Sequence, residues 1–391
     1  MDFEPFGLHD WLVEHEERVK VSLAHSGILP LPARELGVDG DALLSGDLGY
    51  GPIPNDPKLG QRIASLYGLR DVVVTLAGSE ANFLAFAATL KRGDKVVVER
   101  PTYSPLRAIP KALGCKVVEH PRTWANKLRL DLGKLDAQLK GAKLFVATNL
   151  NNPTGVGIST KELEELAQIA EKRKCLVLLD EAYRELAWEP PPVGALVSDR
   201  FLSTATLTKC WGLAGLRTGW LAGADKVLQR ARVAKSYASI SNPPIEQRLA
   251  LAALDQRDAL LARARRIRDA NFAAVKGWLD GHAHLAWVQP DGGPICAPRL
   301  PKGVDDEAFA RALVEQHSTL IAPGSRMGLK GHFRLGYGGH PDSIAPGLRN
   351  VDDTLGRMAS KGKPRKAAPA RAPAADDEDL LDHLSSSGGD V

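Results

Sequence analysis

Short apolar runs without polar alternation recur in the first half of the chain: Val72-Val73-Val74-Thr75, Lys95-Val96-Val97-Val98, Lys143-Leu144-Phe145-Val146-Ala147 and Cys175-Leu176-Val177-Leu178-Leu179. A strand with one wet face alternates, so these runs predict strands buried on both faces, as in a parallel sheet covered by helices. The intervening segments carry helical signals. Leu59, Ile63 and Leu66 recur at helical spacing before a stop at Gly68, and Ser159-Thr160-Lys161-Glu162 has the form of a capping box opening a helix through Arg173. Alternation of strand and helix over residues 46–270 predicts a large α/β domain with an open sheet, whose ligands gather at the carboxyl ends of the strands.

The pattern changes over residues 271–358 to a helix, short strand-like pieces (Leu285-Ala286-Trp287-Val288 and Phe333-Arg334-Leu335-Gly336-Tyr337) and turns, which predicts a smaller α+β domain. The stretch 1–45 is expected to pack against it. Residues 359–391 turn to Lys-Gly-Lys-Pro-Arg-Lys, then alanine and proline, an acidic run Asp376-Asp377-Glu378-Asp379, and serine and glycine. Such a composition buries too little apolar surface to offset ordering entropy, so a disordered tail is expected, with a short docking helix around Leu380, Leu381 and Leu384 as the alternative. No internal repeat is evident.

Composition narrows the class. The chain has 391 residues, enough for a sizeable core without disulfide or metal staples, and its cysteines, Cys115, Cys175, Cys210 and Cys296, show no paired spacing. No metal site is expected, and a reducing compartment is the simpler reading. The start mixes both charges with Phe3, His9 and Trp11, without an apolar signal core, so a cytoplasmic location is expected. A formal charge of +4 with dispersed basic residues argues against nucleic acid, and no apolar run reaches the roughly 20 residues that a membrane helix needs.

Several candidate chemical groups follow predicted strands. Asp180 ends an apolar run and opens Asp180-Glu181-Ala182-Tyr183-Arg184; an acid there suits the protonated nitrogen of a ring cofactor, with Tyr183 on a ring hydroxyl. A helix cap and ordinary core packing explain the same two residues. Asn152 lies in Asn151-Asn152-Pro153-Thr154-Gly155, a strong turn signal at another strand end, from which its amide could reach a ring oxygen and a substrate carboxylate. Gly78 and Ser79 stand at an expected helix start after Val72–Thr75, where backbone N–H groups and the helix dipole favour a phosphate.

Tyr103, between Pro101 and Pro105, could stack on a flat ring or merely stiffen its loop. Lys209 lies in Thr206-Leu207-Thr208-Lys209-Cys210-Trp211-Gly212, with Arg217 eight residues on: a desolvated amine becomes nucleophilic, and Thr206 and Arg217 offer phosphate donors. Arg334 lies in an apolar strand, a costly position unless a carboxylate pairs with it, whether from a ligand or from the fold.

In this order, from about Phe3 to Leu355, these pieces resemble the class I/II aminotransferases, enzymes of fold type I that use pyridoxal 5′-phosphate. The resemblance implies a large domain with a mostly parallel, seven-stranded type of sheet and a smaller α+β domain. It implies Lys209 as the lysine carrying the cofactor as a Schiff base and shuttling protons, Asp180 on the pyridine nitrogen, and Tyr183 and Asn152 on the ring hydroxyl. Tyr103 would stack on the ring, Gly78, Ser79, Thr206 and Arg217 would hold the phosphate, and Arg334 would take the substrate α-carboxylate.

By the same resemblance, Tyr50 reaches the phosphate of a neighbouring subunit, which implies a homodimer with shared sites, and Gly27, in Ser26-Gly27-Ile28-Leu29-Pro30, belongs to the substrate entry. That segment resembles most a branch containing archaeal-type aminotransferases and capreomycidine-synthase-like cyclases. The chain departs from the pattern at Asn55, where glycine is usual. It departs again at Pro294-Ile295-Cys296, where bulkier aromatics are usual and a reshaped pocket beside Arg334 is therefore expected. No second arginine stands out for a dicarboxylate. The expected activity is amino transfer between an L-amino acid and a 2-oxo acid; the alternatives are a cyclase, lyase or oxidase using the same cofactor, and a non-catalytic binding protein.

Overall fold

The computed structural model describes residues 2–45 and 49–361; Gly46, and the tail from residue 362 with its acidic run and leucines, lie outside the described residues. In chain order the strands are β1 (Val21–Ser22), β2 (Val73–Leu76), β3 (Lys95–Arg100), β4 (Lys116–Pro121), β5 (Leu144–Thr148), β6 (Leu176–Asp180), β7 (Phe201–Thr206), β8 (Thr218–Ala222), β9 (Ile295–Cys296), β10 (Thr319–Leu320), β11 (Ala322–Pro323) and β12 (Phe333–Gly336). Seven of them form one sheet in the order β2-β8-β7-β6-β5-β3-β4. β4, β3, β5, β6 and β7 run parallel, and β8 runs antiparallel to both β7 and β2, so the sheet is mostly parallel.

The apolar runs become strands because helices cover both faces. Val97, Phe145, Val177 and Leu179 join one core with Leu163 and Leu166 of the helix Thr160–Arg173, while Val96, Val98, Val146 and Leu178 join another with Leu84 and Phe86. The capping box at Ser159 and Glu162 forms, and Gly68, at φ 67°, ends the helix Pro57–Tyr67. β7, with the sequence Phe-Leu-Ser-Thr-Ala-Thr, has too many hydroxyls to read as an apolar run. Those hydroxyls are buried and bonded: Ser203 Oγ accepts from Ala195 N at 2.9 Å, and Thr204 Oγ1 donates to Asn82 Oδ1 at 2.6 Å. The piece 285–288 forms no strand, only a bridge between Ala286 and Arg299.

β11, β12 and β9 form a small antiparallel sheet, and β1 pairs with β10. Its core draws Phe309, Leu313, Phe333, Leu335, Val351 and Leu355 together. The stretch 1–45 divides between the two cores: Trp11, Leu23 and Ala24 enter this one, whereas Ile28 and Leu36 pack with Trp211 and Leu213 under the large sheet. The 24-residue helix Arg257–Asp280 also serves both, with Leu260, Leu261 and Ala264 on one side and Phe272, Val275 and Leu279 on the other. A cut at 270 therefore falls inside a helix. The last helix, Pro341–Lys361, runs past 358. Among the described residues, no helix is long and apolar enough to cross a membrane.

Candidate active site

The carboxyl ends of β5, β6 and β7 fall side by side, with Thr148 in register with Asp180 and Asp180 with Thr204. β2 feeds directly into the helix α4 (Ala77–Thr89), with Ala77 in the left-handed region at φ 65°. That turn is possible because Gly219 of β8 has no side chain: a Cβ there would lie 2.5 Å from the Ala77 carbonyl carbon. Ala77 N is tied to Arg217 O at 2.8 Å, so the start of α4 and the turn before β8 form one unit.

These elements surround a cavity of about 300 Å³. Gly78, Ser79, Thr206 and Arg217 lie on it, as do Asp180, Tyr183 and Lys209, and Asn152, Tyr103 and Arg334. Gly27 does not, and neither does Tyr50, expected at a neighbouring subunit's site. Gly27 packs against the backbone of Thr208 and Lys209, and the neighbouring Ser26 lines the cavity instead. Tyr50 is 79% exposed and belongs to a separate surface hollow with Pro244 and Arg248. Of Pro294-Ile295-Cys296 none lines the cavity: Cys296 enters the small-sheet core, and Ile295 packs with Leu150 and Tyr183.

Lys209 Nζ donates to Ser26 Oγ at 3.1 Å. Burial is the main cause that brings its ammonium down to about 8; the Arg334 charge adds to this and Asp180 opposes it. Asp180 is buried, and that desolvation raises its carboxyl, countered first by Asn82 Nδ2, which donates to Oδ2 at 2.8 Å, and then by Ala182 N, which donates to Oδ1 at 3.1 Å. Both bonds favour the charged form. Burial pushes the Tyr183 hydroxyl up to about 12, and it has no hydrogen-bond partner although Ser26 lies beside it.

Arg334 resolves the question left by its sequence position. Nη1 donates to Asn152 Oδ1 at 3.1 Å, Nη2 donates to Ala24 O at 2.7 Å, and the buried Nε is unpartnered, so none of these partners is a carboxylate. A guanidinium desolvated in this way keeps capacity for an anion. At the other end of the cavity, Thr206 Oγ1 and Thr208 Oγ1 lie 2.9 Å apart beside the start of α4 and Arg217. A flat pyridine aldehyde with a phosphate fits this donor set: phosphate donors at one end, a buried acid on one side, an amine of depressed pKa, and an orphaned phenol.

Sequence reading missed Asn82, Ser26, Thr148 and Thr208, and also Phe6, Leu8, His9 and Leu12 from the helix α1 (Gly7–His15) and its lead-in. Asn82 had a signal, since it stands four residues after Gly78 on one helix face. The residues around α1 had none, because only the tertiary fold brings them over the cavity.

Comparison with known proteins agrees with the geometry. A profile of the family described as aminotransferase class I and II matches residues 39–349. The chain is 31% identical over 372 residues to a capreomycidine synthase from Streptomyces vinaceus, covering 90% of this chain and 94% of that one. Its structure is similar to that of a PLP-dependent aminotransferase from Streptococcus suis, with a TM-score of 0.88 and 28% identity over 91% of this chain and 99% of the other. It is also similar to the PLP-dependent cyclase OrfR, with a TM-score of 0.85 and 26% identity over 92% and 98% of the two chains.

Proposed function

Because the chain belongs to the class I and II aminotransferases, of fold type I and dependent on pyridoxal 5′-phosphate, we propose that it transfers an amino group between an L-amino acid and a 2-oxo acid. The observation carrying this reading is the placement of Lys209, Asp180 and Arg334 on one cavity, with the lysine brought down to about 8 by burial. Bound there, the cofactor supplies an aldehyde for the amine and a ring that accepts the electron pair left when a Cα proton departs. Lys209 Nζ would hold that aldehyde and, once free, would take the Cα proton as general base and return it as general acid. Ser26 Oγ holds the amine in reach.

Asp180 would hold the protonated ring nitrogen, and the bonds from Asn82 and Ala182 N favour its charged form. The N–H groups of Gly78 and Ser79, the hydroxyls of Thr206 and Thr208, and Arg217 take the phosphate, as the positive end of α4 favours. Tyr183 and the Asn152 amide serve the ring hydroxyl, Tyr103 covers the ring, and Arg334 receives the α-carboxylate. A homodimer belongs to this reading, with Tyr50, 79% exposed, completing the neighbour's phosphate site. The four cysteines, free in the described residues, support a cytoplasmic location.

Likeness to a capreomycidine synthase favours a second reading, cyclisation or elimination from the same deprotonated Cα. Incubation of the cofactor-loaded enzyme with a mixed amino-acid pool and 2-oxoglutarate separates the two. Glutamate is expected; ammonia or a cyclised product without glutamate overturns transfer. Lys209→Ala is expected to lose the visible absorbance of the lysine-bound cofactor and all turnover, and retention of either would remove the lysine from its role.

A further inference from the structure

The start of α4, to which the proposed function gives the phosphate, carries a carboxylate of its own. Glu80 stands in the first turn beside Gly78 and Ser79, and its Oε2 reaches back to accept from Leu76 N at 2.5 Å. That bond caps the turn and holds the chain entering it. The same carboxylate sets a negative charge within one helical turn of the N–H groups that would take a dianion. Repulsion between charges so placed inside a protein is stronger than between surface charges in water.

Lys235, from the last turn of the helix Asp225–Ser236, answers that charge. Its side chain is fully buried, that of Glu80 is 12% exposed, and Nζ lies 3.4 Å from Glu80 Oε2. Nζ also donates to Ser239 Oγ at 2.8 Å and to Asn242 Oδ1 at 3.0 Å, so all three ammonium donors have partners. Burial pushes the Lys235 ammonium below its usual range, and Glu80 opposes that shift.

Ser239 Oγ in turn donates to Glu80 Oε1, and Asn242 Nδ2 donates to Thr75 O of β2 at 3.0 Å. Lysine, glutamate, serine and asparagine thus form one network that ties the helix Asp225–Ser236 and the loop after it to the turn from β2 into α4. Every contact in it lies within one chain, and the enclosed Lys235 side chain leaves a neighbouring subunit no access to it. A buried ion pair adds little net stability over apolar packing, so its place beside the phosphate end asks for another reason. Resting on the reading above, we propose that Lys235 is a positioning residue for the cofactor's phosphate: it neutralises Glu80 and keeps it on Leu76 N, so that the first turn of α4 offers its donors to a dianion without an opposing charge beside them.

The test compares pyridoxal phosphate with pyridoxal, which has the ring and the aldehyde but no phosphate. Each is titrated into the unloaded full-length chain at pH 8, where an ordinary carboxylate is ionised, and the lysine-bound absorbance is followed. Lys235→Met is expected to weaken pyridoxal phosphate about 10-fold or more, the scale of one uncompensated charge nearby, and to leave pyridoxal nearly unchanged. Glu80→Gln removes the charge but keeps an acceptor for Leu76 N, so it is expected to bind pyridoxal phosphate at least as tightly as the unaltered chain. The double variant is expected to recover the affinity that Lys235→Met loses. A merely structural role moves both ligands together, whatever the sign of the charge removed. Equal weakening of both ligands by Lys235→Met, or no recovery in the double variant, overturns the inference and leaves the aminotransferase reading standing. Should Lys235→Met fail to fold, Glu80→Gln decides alone, since weakened pyridoxal phosphate there overturns the inference. If neither ligand gives the absorbance with the unaltered chain, the aminotransferase reading falls, and this inference with it.

Discussion

The acid behind the ring is governed by one amide. Thr204 Oγ1 donates to Asn82 Oδ1, which orients the Asn82 amide so that Nδ2 donates to Asp180. Because Asp180 is buried, that bond to its charged form is stronger than it would be in water. Asn82→Leu leaves Asp180 buried and short of a donor, so its carboxyl rises further and the acid limb of the kcat/KM profile moves to higher pH. Loss of a bond to a charged group also predicts a fall of about 10-fold in kcat/KM at the optimum. An unmoved acid limb would mean that Asn82 does not govern Asp180. Lys209 governs cofactor uptake instead. Its amine is neutral above about 8, so cofactor uptake by the unloaded protein is expected to accelerate as pH rises through that value and to level off beyond it. Stopped-flow mixing with pyridoxal phosphate across pH 6.5 to 9.5 measures this; a profile still rising steeply at the upper end would put the lysine nearer its ordinary value.

Among the elements, the pairing of α4 with β8 carries the phosphate end. Gly219 permits β8 to touch the first turn of α4, and a methyl there must displace Ala77 or the strand. Gly219→Ala is therefore expected to cost about 1–3 kcal/mol of stability as overpacking and to weaken cofactor affinity, because the Gly78 and Ser79 N–H groups move with Ala77. Calorimetry and a cofactor titration check both effects together. Element reading from sequence worked where one local signal dominated: the valine runs of β2 and β3, the capping box before Thr160–Arg173, and the Gly68 stop. It failed for β4, β7 and β8. The hydroxyls of Ser203, Thr204 and Thr206 read as polar in one dimension, yet each has a partner contributed by another segment.

For the molecule as a whole, the proposed homodimer carries a testable consequence. If Tyr50 serves the neighbouring copy, a mixed dimer of Lys209→Ala and Tyr50→Ala chains contains one site with both an intact lysine and an intact tyrosine. Co-expression of the two variants is then expected to restore a cofactor affinity that the Tyr50→Ala homodimer lacks by about 10-fold, the scale of one bond to a phosphate. No restoration, or a monomer in sedimentation, would assign Tyr50 to another task. The two cores are tied by the helix Arg257–Asp280 and by the divided amino-terminal stretch. A movement of one body against the other would therefore carry α1 across the mouth.

The chain's own order of residues determined the open α/β sheet, its strand ends and the polar groups standing on them, because periodicity, caps and turn residues act between near neighbours. It therefore disclosed Lys209, Asp180, Asn152, Thr206 and Arg334 as candidates. Tertiary structure alone decided what those groups are. Burial takes Lys209 to about 8 and raises Asp180; Asn82 reaches Asp180 across 98 positions, Ser26 reaches Lys209 across 183, and α1 closes over the result. Desolvation and long-range hydrogen bonding depend on which surfaces meet in space, and no local pattern encodes that meeting.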